Sequence, residues 1–317
     1  MTGLGFFQKI LLTLVSVLVT LLISCTQTTS PPSSPILRAG ATSAIVDNTI
    51  YVFGGMNKER SMSVTETYDI STNTWTRKAS MPTARATASA TAVEKMIYVF
   101  GGRNESSVLD VVEVYDTTQD SWKRVKPLSF ARWNQMAAAF EQKIYVFGGL
   151  TGVGDKRESI NTVEIYDPIA DSWSRGPSIP ERKQGAAVAI LQGKIYLAGG
   201  LIVSGGLGGA ITNTVHVYDI ATGKWDKAAS MKIARTAAKA TVIDGKIYVV
   251  GGAADSRPIN SIEVYDPTVN LWEIKHSMQK PRSAHCVESV GRKIIIIGGM
   301  TSTSIDSMTV AIEEIDI

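Results

Sequence analysis

Six short apolar runs, each closed by a pair of glycines, punctuate the chain: IYVFGG at 50–55, 97–102 and 144–149, IYLAGG at 195–200, IYVVGG at 247–252 and IIIIGG at 294–299. The steps between the glycine pairs are 47, 47, 51, 52 and 47 residues. Downstream of the first five stands Tyr-Asp, at Tyr68, Tyr115, Tyr166, Tyr218 and Tyr265. Six residues beyond each Asp comes a tryptophan: Trp75, Trp122, Trp173, Trp225 and Trp272. A fixed period of this length is the signature of a repeated supersecondary unit.

Within each unit the alternation of apolar and polar positions, broken by turn residues, predicts four short strands. In the second unit they fall at 87–93, 96–100, 111–115 and 121–125. Asp47-Asn48, Gln192-Gly193 and Asp244-Gly245 are residue types that a tight hairpin between the first two strands requires. One four-stranded meander cannot bury both faces, so the units must stack, and a ring protects the sheet faces. The repeated Trp and Tyr are expected to pack between units, and the glycine pair to turn where a Cβ does not fit.

The double glycine, Tyr and Trp at this spacing resemble the kelch motif, over about Ser34 to Asp316. That resemblance, to the kelch superfamily that includes galactose oxidase-like proteins, implies an all-β fold: a six-bladed propeller of four-stranded antiparallel blades around a central channel. The expected domain spans 35–317. Its closure is open: the sixth unit ends after a third strand, and Pro35 and Arg38 align with Pro82 and Arg85 of the next unit. Either the stretch from about Thr26 to Ser34 supplies the missing outer strand, or the sixth blade has three strands.

The first 24 residues read as a signal segment, with Lys9 ahead of the uncharged run ILLTLVSVLVTLLI at 10–23. Fourteen residues are short for a helix that must span a bilayer, which takes about 20. Leu22-Ile23-Ser24-Cys25 resembles a bacterial lipobox, which implies cleavage before Cys25 and lipid on that cysteine; an ordinary signal peptide or an uncleaved anchor are the alternatives. The expected address is the cell envelope, lipid-anchored at the outer leaflet or outer membrane and facing periplasm or exterior. Residues 25–34 then form a short linker or the closing strand.

Charge narrows the partners. Lys+Arg 32 against Asp+Glu 29, net +3, is too balanced for a nucleic-acid binder. Two cysteines, Cys25 and Cys286, exclude a disulfide scaffold or a cysteine-rich zinc site. His216, His276 and His285 show no paired metal-ligand spacing, so no metal or cofactor is expected. The copper site of kelch-like oxidases has no matching residue set here, and His285-Cys286 reads as core rather than as a nucleophilic dyad.

Two features are candidate chemistry. Sixteen positions before each first glycine stands a cation: Arg38, Arg85, Arg132, Lys183, Arg235 and Arg282. These six form either a channel-mouth site for an acidic ligand or internal pairs with Glu66, Glu113, Glu164, Glu263 and Glu313. Lys183 and His216 depart from the pattern together, which favours pairing. Trp133, next to Arg132, either stacks on a sugar or peptide or packs locally. From the second glycine to the third-strand acid or its equivalent the units count 11, 11, 15, 16, 11 and 14 residues, so the face carrying those loops, extended at 151–160, 201–213 and 300–308, is the expected ligand face. The gly-rich stretch at 204–209 lacks the Lys-Ser/Thr ending of a phosphate loop and reads as a flap.

The expected function is a protein- or carbohydrate-binding interaction module, with no catalytic residue assigned. The alternative is a carbohydrate-directed enzyme resembling the periplasmic kelch mutarotases that act on sialic acid; those need an acid, a base and a cation for the sugar carboxylate.

Overall fold

The computed structural model describes residue 34, residues 36–205 and residues 208–317. The signal segment, Cys25 and all but the last residue of the proposed closing stretch lie outside them. Among the described residues no helix is long and apolar enough to cross a membrane.

The second unit forms strands Ser89–Val93, Met96–Phe100, Val112–Asp116 and Ser121–Val125, paired in chain order as an antiparallel meander. The same order holds in the first, third and fourth units. Strand ends are set by turns: Asp47, Gln192 and Asp244 adopt positive φ, where Asp, Asn and Gly are tolerated. Blade five is longer than its pattern predicts. Its third and fourth strands, Arg257–Asp266 and Leu271–Arg282, run on as one bulged ribbon through what the sequence presents as a crossover. Blade six has three strands among the described residues, Cys286–Val290, Lys293–Ile297 and Ile312–Asp316.

Six hydrophobic clusters lie between successive blades, not within them. The sixth joins Ile295, Ile297 and Ile312 of blade six to Ile50, Val52 and Tyr68 of blade one, which closes the ring. The repeat aromatics work at these seams. Trp122, Trp173, Trp225 and Trp272 each donate Nε1–H to a carbonyl after the outer strand of the preceding blade, at 2.8–3.0 Å. Tyr115 and Tyr166 donate to Asp120 and Asp171 at 2.6 Å, which fixes the turn before each tryptophan.

The first glycine of each pair has φ between +50° and +70°. A Cβ on Gly54, Gly101, Gly148, Gly199 or Gly251 would stand 2.4–2.6 Å from the carbonyl oxygen of the next unit's cation residue. The doublet is therefore where one blade's backbone touches the next. At the last seam Gly298 is looser: its Cβ would lie 3.5 Å from Arg38 O.

Candidate ligand-binding site

The meander places the loops between second and third strands on the same face as the crossovers into the next blade. There the six repeat cations enter the fold, and all are buried, none more than 4 % exposed. Each reaches the carbonyl of its own blade's first glycine, at 3.0–3.4 Å, which accounts for the constant spacing of sixteen. Five are ion-paired to the third-strand glutamate: Arg38–Glu66, Arg85–Glu113, Arg132–Glu164, Arg235–Glu263 at 2.6 Å and Arg282–Glu313 at 3.3 Å. Burial lowers the guanidinium pKa in all five, that of Arg132 to about 9. The glutamates also hold the incoming crossover: Glu164 accepts from Ser129 N at 3.1 Å, Glu263 from Lys232 N at 2.6 Å and Glu313 from Gln279 N at 2.6 Å.

Blade four replaces this pair. Lys183 donates to Thr214 Oγ1 at 3.1 Å and lies 3.4 Å from Glu181, an acid from its own crossover. His216 fills the space of the missing glutamate with 1 % exposure, and burial pushes it down to about 4. The structure thus brings the six cations together as a scaffold ring whose charged ends face their own blades. Reaching one with a ligand would mean breaking a buried pair.

Trp133 remains on the long-loop face, partly exposed, with its backbone bridged to Leu150 and the Arg103 guanidinium 4.7 Å above its ring. Its Nε1–H is buried without an acceptor. Arg103 comes from the loop of blade two, so the pair spans two blades. Neighbouring loops are tied elsewhere too: Ser159 N donates to Val203 O at 2.9 Å and Val203 N to Ser159 Oγ at 2.9 Å. Lys58 pairs with Asp306, and Ser61 N with Glu105. These ties make the loop face a connected platform.

At the axis, six peptide groups form a closed hydrogen-bonded circle. Gly40 N donates to Ala284 O, Ala284 to Ala237, Ala237 to Gly185, Gly185 to Asn134, Asn134 to Thr87 and Thr87 back to Gly40, at 2.7–3.2 Å. All six have φ between +51° and +64°. Sequence reasoning missed this circle although a signal for it exists: two positions after every cation stands Gly, Thr, Asn, Gly, Ala or Ala, and left-handed φ suits Gly and Asn. The circle narrows the long-loop end of the channel to a cavity of about 70 Å³. Below it the channel widens to about 310 Å³, lined mostly by Thr, Ser, Ala and Val of the inner strands, with Lys239 and Glu288 among them.

Among the described residues no group of three or more His, Cys, Asp or Glu is placed to hold a metal. Cys286 opens the inner strand of blade six and His285 lies just before it; both are buried, and burial lowers the imidazole pKa to about 3 and raises that of the thiol.

A family model described as the Attractin/LZTR1 beta-propeller matches residues 19–256, and the kelch motif matches residues 234–279. Beta-scruin of Limulus polyphemus is 35 % identical over 97 residues, 30 % of this chain and 11 % of that protein. Kelch-like protein terF of Aspergillus terreus is 36 % identical over 27 % of this chain and 20 % of its own length. Kelch-like ECH-associated protein 1B of Danio rerio is 30 % identical over 31 % and 16 %. The chain thus spans a fifth or less of the length of these curated relatives. The solved structure of YjhT superposes with a TM-score of 0.78 at 19 % identity, over 90 % of this chain and 97 % of that one, which establishes the fold. With its repeats, its inter-blade seams and a family match over most of its length, the chain belongs to the Attractin/LZTR1-type β-propellers built of kelch repeats.

Proposed function

We propose that the protein is a lipid-anchored binding module of the cell envelope, whose rigid propeller presents its long-loop face to a protein or carbohydrate partner. The observation that carries this reading is the knitting of loops from different blades into one platform, with the Trp133–Arg103 pair across two of them. A partly exposed indole with a cation on one face is the kind of group that anchors an interface. Kelch relatives among the matches, such as Kelch-like protein 40 of Xenopus laevis, are similar to this chain over one part of a longer protein. The six repeat cations are committed to buried partners and so do not supply the cation that a carbohydrate-directed enzyme needs for a sugar carboxylate.

Lipid anchoring rests on the Leu22–Cys25 motif. It is tested by metabolic palmitate labelling of the full chain and of Cys25→Ala, with loss of label and release from membranes expected. Binding is tested by probing glycan and acidic-peptide arrays with the full chain in detergent. Trp133→Ala or Arg103→Ala should abolish the signal; a hit indifferent to both variants places recognition elsewhere.

A further inference from the structure

The wide part of the central channel holds a basic and an acidic side chain that are not hydrogen-bonded to each other. Lys239, on the inner strand of blade five, pairs with Val250 through its backbone, while its side chain makes no hydrogen bond or ion pair among the described residues. Glu288, on the inner strand of blade six, makes a single hydrogen bond, accepting from Ser43 Oγ of blade one at 2.6 Å. Both line the cavity of about 310 Å³, which reaches the lower end of the range for small-ligand sites.

Neither charge belongs to the repeat. The Lys239 position is Thr42, Ser89, Met136, Ala187 and Cys286 in the other units, and the Glu288 position is Ala44, Thr91, Ala138, Ala189 and Thr241. Five blades fold without a charge there, so the scaffold does not require either one. A third departure lies on blade three, across the channel from them. Gln135 stands where the other units have Ala41, Ala88, Ala186, Ala238 and His285. Gln135 is 5 % exposed and lines both parts of the channel. Its Nε2 donates to Phe100 O at 2.5 Å, while its Oε1 is buried without a donor. Unanswered polar groups in a confined cavity cost free energy that a complementary ligand recovers.

We propose that this channel binds a small zwitterion of the α-amino-acid type, its carboxylate on the Lys239 ammonium and its ammonium group on Glu288. A simple anion satisfies Lys239 and leaves Glu288 with no partner beyond Ser43. A simple cation does the reverse, and a neutral polyol leaves both charges unanswered. A ligand carrying both signs neutralises both at once, and the neighbouring Ala90, Ala92, Ala137 and Val188 leave room for a short aliphatic side chain. Entry is from the face of the first hairpins, because the peptide circle narrows the other end. Burial lifts Glu288 to about 7, so a bound ammonium group that draws it into the ionised form releases a proton. The charged and titratable groups around Glu288 are Lys239 from blade five and Cys286 in its own strand; the blade-one strand Thr42–Val46 brings Ser43 and no charge. The proposal concerns the channel and stands independently of the loop-face reading.

The test is titration calorimetry on the full chain in detergent micelles, with glycine, L-alanine and L-valine against their halves, propionate and propylammonium, and against glucuronate as an acidic sugar. Binding of at least one amino acid is expected, at least tenfold tighter than propionate or propylammonium, with proton release seen as a dependence of the heat on buffer ionisation. Lys239→Met and Glu288→Gln should each weaken it at least tenfold while unfolding at the same temperature as the parent. Because the comparison of half-ligands uses the unaltered protein, it stands even where a variant fails to fold. Equal affinity for propionate, tighter binding of glucuronate, or no heat with any amino acid each overturns the proposal. Loss of array binding by Trp133→Ala with amino-acid binding intact separates the two sites.

Discussion

Arg235 Nη2 donates to Glu263 Oε1 at 2.6 Å with both side chains at zero exposure, and the same arginine's carbonyl accepts from Gly200 N–H of the preceding blade at 2.8 Å. One residue thus fastens its own third strand through its side chain and the neighbouring blade through its backbone. The side chain adds bonds to Gly251 O and Ser261 O, each at 3.0 Å. The buried charge is tolerated because almost every donor in its fork is used.

Removing half of that pair leaves the other half charged in the interior. Arg235→Met is expected to destabilise the propeller by about 3–5 kcal/mol, the range for orphaning one member of a buried pair. Arg235→Met with Glu263→Leu should recover part of the loss, because the desolvated charge goes too. Equilibrium denaturation in urea measures both. A single variant within about 0.5 kcal/mol of the parent would show that the ring cations are dispensable to the fold.

Blade four makes the complementary experiment available. Lys183 and His216 occupy the positions of Arg and Glu, and Lys183 finds its acid in Glu181 instead. Lys183→Arg together with His216→Glu restores the pair found in the other five blades. The double variant is expected to be more stable than the sum of the single changes, with a coupling of about 1–3 kcal/mol from a double-mutant cycle. Additivity would mean that the blade-four pocket has repacked beyond accepting the pair.

The same histidine sets a pH dependence. Burial holds His216 at about 4 and His285 at about 3, against an ordinary value of 6.5. The unfolded chain takes up these protons near pH 6.5, whereas the native state does not until far lower. Stability is therefore present in full above pH 6.5 and erodes as pH falls toward 4, by about 1.4 kcal/mol per pH unit for each histidine. Glu66 and Glu288, both raised by burial, act in the opposite sense, so the comparison with His216→Gln isolates the histidine. The variant's stability should fall less steeply between pH 6.5 and 4; parallel curves would contradict a buried neutral His216.

The strands were legible because period-two alternation and turn residues act locally: in the second unit observed and expected bounds differ by two residues or fewer. The cation spacing was legible as a number, and the joint departure of Lys183 and His216 already favoured pairing with the third-strand glutamates over an open channel-mouth site. Whether a guanidinium faces the axis or its own blade depends on how the crossover enters the inner strand, and that becomes visible only with the bond to the first glycine's carbonyl. The channel charges were illegible for the opposite reason. Lys239 and Glu288 break the repeat, and on an edge strand lining a channel no periodicity separates a charge that faces water from one that faces a cavity. The long fourth strand of blade five, Leu271–Arg282, was not expected from a repeat read as four short strands, and Pro281 within it is a residue type that ordinarily interrupts a strand.

Glycines at the seams separate close approach from backbone freedom. A Cβ on Gly54 meets Arg85 O at 2.4 Å and Met81 Cε at 2.9 Å, whereas one on Gly245 meets nothing within 4 Å. Both have positive φ, +58° and +71°. Gly245→Ala should cost about 1–2 kcal/mol, the conformational penalty alone. Gly54→Ala adds the overlap with backbone and should cost about 2–5 kcal/mol. Equal losses in thermal denaturation would place the whole effect in φ and remove the argument that the doublet exists for blade contact.

The closing seam should open first. At the five internal seams a Cβ on the first glycine would lie 2.4–2.6 Å from the next blade's carbonyl, and the second glycine's N–H donates to that carbonyl at 2.8–3.0 Å. Between blades six and one the corresponding approach is 3.5 Å. What crosses that seam includes the Gly40 N to Ala284 O bond at 3.1 Å, Ser43 to Glu288 at 2.6 Å, Ser34 N to Val310 O at 2.8 Å, Tyr68 Oη to Glu314 at 3.5 Å, the Lys58–Asp306 pair and the Ile–Tyr cluster. Native-state hydrogen exchange is therefore expected to be fastest, among glycine-doublet amides, at Gly299, with blades six and one exchanging ahead of blades three and four. Deleting residues 26–34, which takes away Ser34, should accelerate exchange in those two blades and lower the melting temperature, leaving blades three and four unchanged at first. Uniform exchange around the ring, unaffected by the deletion, would show that the closure is carried wholly by the inner strands and the hydrophobic cluster.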